Sequence, residues 1–352
     1  MTSKERVIKT YNFELPDRIP LDFCADVPVY NALIEKTGVK DSLELMDYFH
    51  IDFRWARAKW IGPELVDAQG RTTDYFGIPR EGEGFGYAVA HPLAHVKTKR
   101  DVDAYPWPKP EYWDYDVFVE ECKRFEEYAV YGGAWGWFSN AACDLVGMDR
   151  FYMMMLDNPE LAYYIMEKAT DFFYETSRIM FERARGKVDI FFTGDDYGGQ
   201  NAPLMGLELW RRLVKPHIKR LYSLAKEYGL YITQHSCGCV VDFIPDLIEL
   251  GLNAIEPVQV RARGMDFEGL VEKFSGKVVL QGSIDTQKTL PFGSAEDVRE
   301  EVRSRIRLFK DKGGFVLGPS QHLLSHIPLE NIFAMYETAW EEGWIKSPIS
   351  SF

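Results

Sequence analysis

The chain has 352 residues, 46% of them apolar, enough to bury one large core, and no long Pro/Gly/Ser linker divides it. Its 54 acidic and 41 basic residues leave a formal charge of −13, which argues against nucleic acid, anionic membrane or a highly carboxylated substrate as partner. No apolar run approaches the roughly 18 residues of a membrane span.

The opening, MTSKERVIKTYNF, is charged and lacks an apolar signal core, so a cytoplasmic protein is expected, folded as a single domain over 1–352. Five cysteines, an odd and scattered set, do not make a disulfide framework. In a reducing compartment a Cys close to a His points first to a metal or a nucleophile.

In chain order, DRIPLDF (17–23) and HIDFRWA (50–56) read as strands. Segment 57–128, rich in Pro, Trp and Tyr, is long for a connection and is expected to form an excursion over one mouth of the fold. VYGGAW (130–135) is the next strand. Asn158 then caps a long helix that carries Pro159 in its first turn and closes at Gly186. VDIFFTGDD (188–196) leads into a helix from about Gly206 to Tyr228, with a kink at Pro216. LYITQHSCG (230–238) precedes a helix that ends near Gly251. NAIEPVQ (253–259), KVVLQGSID (277–285) and GFVLGPSQH (314–322) each follow a helical stretch. SAED (294–297) is a capping-box variant, and PLENIFAMYETAWEE (328–342) is the closing helix.

Strands separated by helices require crossovers and therefore a parallel sheet. Eight such units predict an α/β fold of the (β/α)8 TIM-barrel type. An open doubly wound sheet is the alternative, but no GxGxxG follows any strand. Chemistry in such a barrel collects at the C-terminal ends of the strands. Those ends carry Asp22, Asp26, Arg54, Asp195, Asp196, His235, Cys237, Glu256, Gln259, Gln281, Ser283, Asp285, Gln321 and His322.

His235 and Cys237 are two apart on a strand and so face the same way. An imidazole and a thiolate suit zinc, which needs three protein ligands at a catalytic site. His322 is the expected third ligand, because it ends the last strand on the same rim. The alternative for the pair is core packing without a metal. Cys239 is expected to start the next helix as a structural residue, a CxC redox couple being the lesser option. Gln321 is a poorer ligand, its amide being neutral.

The stretches HSCG, IPDLIELGLNAIEPVQ, LQGSIDTQKTLPFGSAEDVREEV and GGFVLGPSQHLLSHIPLENIFAMYE resemble the uroporphyrinogen decarboxylase superfamily. So do DDYGGQNAPLM and the opening KERVIKTYNFELPDRIPLDF, and the likeness runs over nearly the whole chain. The resemblance implies a distorted (β/α)8 barrel. The true decarboxylases carry an arginine-rich motif, RQAGRY, where this chain reads DFCADVPVY, Asp22 to Tyr30, without arginine. The corrinoid-linked methyltransferases carry His-x-Cys and a late Cys as zinc ligands. This chain keeps the first two as His235 and Cys237 and has Gln321 and His322 in the late position.

The expected activity is therefore zinc-dependent transfer of a methyl group between a small ether, amine or thiol and a corrinoid (cobalamin) carried by a separate protein. Asp195 and Asp196 are the candidate acid or base, and neighbours on a strand face opposite ways, so only one can point into the mouth. Tyr197, Gln200, Glu256 and Gln281 are candidate substrate contacts, and Trp55, Trp60, Trp135 and Trp137 candidate walls of an aromatic pocket. The sequence is compatible with a homodimer and does not fix the oligomeric state. The runner-up is a metal-independent decarboxylase of a porphyrinogen-like or other carboxylated substrate; a non-catalytic corrinoid or ligand carrier is a third reading.

Overall fold

The computed structural model describes residues 1–82 and 86–345. Its centre is a curled sheet of seven parallel strands that neighbour one another in chain order. They are β1 (Phe53–Trp55), β2 (Ala129–Gly132), β3 (Ile190–Gly194), β4 (Tyr231–His235), β5 (Ala254–Val258), β6 (Val279–Ile284) and β7 (Phe315–Pro319). Helices run between these strands, as parallel crossovers demand. The result is a mixed α/β fold of TIM-like character.

The expected strand at 17–23 appears as isolated parallel bridges, Leu21 with Leu317 and Ala25 with Leu323. Pro20 has no N–H to give a ladder, and only its carbonyl is used, accepting the Leu317 N–H. The same segment reaches toward β1 through the Asp52 N–H, which donates to Leu21 O.

Side-chain alternation sorts the core into two layers. Phe53, Ala129, Tyr131, Ile190, Phe192, Ala254, Val279 and Val316 point inside the curl, where Val7 and Tyr11 of the helix Ser3–Tyr11 join them. The other strand face packs against the helices in a second, larger cluster. Strands buried on both faces read as unbroken apolar runs, as IFF in β3 does.

The helix boundaries follow local chemistry. The Asn158 side chain accepts the Leu161 N–H at the start of Pro159–Arg183, and Ser294 and Asp297 form a reciprocal capping box before Ala295–Phe309. The stretch 206–228 is two helices, Leu207–Leu213 and Lys215–Glu227, with Pro216 in the first turn of the second rather than at a kink. Cys239 does not start a helix; the next one is Ile244–Leu250, and Cys239 is buried with its N–H on Gly199 O.

Segment 57–128 holds two short antiparallel strand pairs, Lys59–Trp60 with Trp113–Asp114 and Arg80–Glu81 with Tyr87–Ala88. Tyr75 and Phe76 from this segment pack on Phe172 and Phe173 of the long helix. No helix among the described residues is long and apolar enough to cross a membrane.

Candidate metal centre

The interior face of β3 runs through Ile190 and Phe192, and continuing that period of two brings Gly194 and then Asp196 to the mouth. On β4 the same parity takes Thr233, His235 and Cys237. Asp196, His235 and Cys237 are the described residues whose potential ligand atoms converge, all lying within 4.8 Å of one another. Cys237 Sγ is 3.3 Å from His235 Nε2, and His235 Nε2 is 3.7 Å from Asp196 Oδ1. The Cys237 N–H donates to Asp196 Oδ1 at 2.8 Å, which ties the two loops together at the donors themselves.

Gly194 makes the room. A Cβ there would stand 2.7 Å from His235 Cβ and 2.8 Å from Trp135 Nε1. Gly198 and Gly238 do the same for the loops beyond. A Cβ on Gly198 would meet Cys239 N at 2.4 Å, and one on Gly238, whose φ is +79°, would meet Gly198 O at 2.3 Å. The two loops are therefore in backbone-to-backbone contact directly behind the donors.

His235 is held from its other side. Its Nδ1 lies 2.6 Å from Glu256 Oε2, so the ring presents Nε2 to Cys237 and Asp196. Burial works against the imidazolium, but Glu256 and the Cys237 sulfur outweigh it and hold the His235 pKa well above its ordinary value. Burial raises the Cys237 thiol, with His235 pulling it down.

The donor set fits zinc. Zinc–sulfur, zinc–nitrogen and zinc–oxygen bonds at tetrahedral angles span donor-to-donor edges of roughly 3.3–3.6 Å. The observed 3.3 and 3.7 Å bracket that range. A carboxylate behind the imidazole is the usual support of a metal-binding histidine.

The remaining predicted residues divide. Asp195 faces away from the mouth; its carboxylate accepts the Ser139 and Asn140 N–H groups at 2.9 and 2.8 Å, at the start of the helix Phe138–Val146. Burial pushes it up to about 8, against the pull of those two donors. Tyr197 shares that outward parity and is wedged between Trp210 and Phe243 in the helix layer. Gln200 sits on the rim, donating to Arg261 O and bonded to Gln287.

Gln281 lies fully buried under the mouth, donating to Asp22 Oδ2 at 2.6 Å and to Tyr131 Oη at 2.8 Å, with Tyr11 Oη against its oxygen. Burial, then the nearby Glu256, raises Asp22 to about 7. Arg54 turns outward to Asp47 and to the Ile51 and Phe53 carbonyls.

His322 lies outside the converging set, its Nδ1 2.9 Å from Asp26 Oδ1. Its neighbour Gln321 reaches the centre, donating from Nε2 to Cys237 Sγ at 2.8 Å. Two of the four tryptophans stand at the mouth: Trp135 stacks on Trp55 at 6.0 Å and meets the His235 ring edge-on at 5.7 Å, with Phe192 closing the wall. Trp60 and Trp137 belong instead to the Tyr75 cluster of segment 57–128.

Three likenesses relate the chain to known proteins. The sequence pattern of the family described as "Uroporphyrinogen decarboxylase (URO-D)" matches residues 88–341. A uroporphyrinogen decarboxylase of Mycolicibacterium paratuberculosis is 25% identical over 140 residues, which are 39% of this chain and 36% of that protein. The match therefore spans about a third of that relative's length. A solved structure, a methyltransferase from Methanosarcina mazei, superposes with a TM-score of 0.68 at 18% identity, over 97% of this chain and 99% of that one, and shows a shared fold.

Proposed function

We propose, from the premise that the chain belongs to the uroporphyrinogen decarboxylase family, that it is a zinc-dependent methyltransferase. It moves a methyl group between a small methylated substrate, an ether, amine or thiol, and a corrinoid carried by a separate protein. The observation that carries this reading is the convergence of His235 and Cys237 with a carboxylate at the mouth of the curled sheet. A zinc ion held there supplies Lewis acidity at the heteroatom that carries or receives the methyl group.

The chain's own residues do the rest. Glu256 keeps the His235 ring oriented, and Asp196, partly exposed beside it, brings a carboxylate to the same point of the mouth. Trp55, Trp135 and Phe192 form an apolar wall that keeps water from the reacting carbon. In this reading the chain acts as one barrel domain of eight positions, with segment 17–23 as the first and segment 57–128 as an excursion over one mouth. Val27, Trp135, Leu204 and Leu324, exposed on segments that follow strand ends, offer the apolar rim on which the corrinoid protein docks. The five free cysteines are in keeping with a reducing cytoplasm.

The test is to purify the protein without chelator, measure its zinc, and follow methylation of added cob(I)alamin by absorbance with ether, amine and thioether donors. Near-stoichiometric zinc and zinc-dependent methylation are expected. A metal-free protein that releases carbon dioxide from a carboxylated substrate would overturn the reading in favour of the decarboxylase that the mycobacterial relative's name suggests.

A further inference from the structure

We infer that Asp196 is the third protein ligand of this metal centre, and that Gln321 serves as a positioning residue for the Cys237 sulfur. The inference rests on the metal-dependent reading above. It departs from the late-strand thiolate that the resemblance implies and from His322, the residue that stands nearest to that place with a competent donor.

Each rival donor is already committed. The two ends of the Gln321 amide are both in use: Nε2 donates to Cys237 Sγ at 2.8 Å, and Oε1 accepts the His322 N–H at 2.9 Å. A backbone N–H donates only to the oxygen, so the amide orientation is fixed and its oxygen is turned away from the sulfur. His322 faces Asp26 and is not among the residues whose ligand atoms converge. Glu256 is bound to the far nitrogen of His235. Asp196 is the one carboxylate in the converging set among the described residues, and its Oδ1 faces His235 Nε2 while accepting the Cys237 N–H of the same centre.

The charges agree with the geometry. One thiolate and one carboxylate neutralise a zinc ion as two thiolates would, and both oxygens and sulfurs are accepted in one tetrahedral shell. Asp196 is also anchored where it is needed, since the Cys237 N–H holds its Oδ1. The exchange leaves Gln321 in an outer role: its N–H steadies the sulfur and draws off part of its charge, as hydrogen bonds to metal-bound sulfur do.

The experiment compares wild type, Asp196→Asn, His322→Ala and Gln321→Leu. Zinc affinity is measured by competition with a chromogenic chelator, and the cobalt(II)-substituted forms by absorption spectroscopy. Asp196→Asn keeps the acceptor for the Cys237 N–H and is expected to fold, which circular dichroism checks. Its zinc affinity should fall by more than the roughly 10–100-fold that loss of an outer hydrogen-bond partner costs. His322→Ala should stay close to wild type. Gln321→Leu should keep full stoichiometry while shifting the sulfur-to-cobalt charge-transfer band.

Metal-loaded wild type with an unaffected Asp196→Asn, or with a His322→Ala that loses its metal, overturns this assignment and leaves the zinc reading standing. An unshifted band in Gln321→Leu removes the positioning role. Wild type that takes up neither zinc nor cobalt overturns both.

Discussion

Glu256 Oε2 lies 2.6 Å from His235 Nδ1, and the two residues are direct register partners on adjacent parallel strands. The sheet ladder itself therefore aims the imidazole. The ring is thus oriented before the loop that carries Cys237 is considered, which lowers the conformational cost of assembling the centre.

Removing that carboxylate is the first prediction. Glu256→Gln should leave the fold intact and weaken zinc binding by roughly 10–100-fold, the range found when the partner behind a metal-bound histidine is lost. Chelator competition measures it. Wild-type affinity in the variant would mean that strand geometry alone holds the ring.

Asp195 leads to a prediction about stability and pH. Its folded carboxyl is raised to about 8 by burial, while in an unfolded chain such a group titrates near 3.9. Folding thus takes up a proton between those values. The stability tied to this group is whole below about pH 4 and drains away as the pH rises toward about 8. Asp195→Asn cannot titrate, so its denaturation midpoint should vary less with pH across that window, and its zinc content should match wild type. A pH profile parallel to wild type would place the titration elsewhere.

A third prediction touches no donor. In Gly198→Ala the new Cβ would meet Cys239 N at 2.4 Å and Cys237 O at 2.7 Å, atoms of backbone that cannot swing aside. The two loops must part, at a cost of about 1–3 kcal/mol. Thermal melting should fall, and zinc affinity should fall with it because Asp196 and Cys237 sit on either side of the contact. Lowered stability with unchanged affinity would show that the centre tolerates the shift.

Much of this centre was legible from spacing. The period of a strand places His235 and Cys237 on one face wherever the strand lies. The same period says that Asp195 and Asp196 part company, but not which one faces inward. β3 is apolar on both faces, IFF, so its alternation carries no mark of inside and outside. Only the packing of Phe192 beside Trp55 and Trp135 supplies it. Glu256 was visible as a strand-end carboxylate, and a register pairing, which no local pattern reveals, turned it onto His235.

Gln321 and His322 show the opposite difficulty. They are adjacent, both polar, and past the end of β7, where no periodicity applies. The choice between them is made by Asp26, a residue almost three hundred positions away in sequence, which engages His322. Pro20 explains why 17–23 reads as a strand yet pairs so sparsely: the apolar pattern is present, but one ladder donor is missing.

The contact between Gly198 and Gly238 has a further consequence. The converging donors Asp196, His235 and Cys237 lie on two consecutive strand ends whose loops touch backbone to backbone at Gly198 and Gly238 and are tied again by the Cys237 N–H on Asp196 Oδ1. The opposite bank of the mouth, Asp22 to Asp26 with His322, supplies none of the three, and only Gln321 beside it reaches Cys237. In the zinc reading, retention of the metal and choice of what is presented to it are thus lodged in different stretches of chain. On that reading Asp22 to Asp26 and His322 are where the pocket can be reshaped for a new substrate without touching a donor.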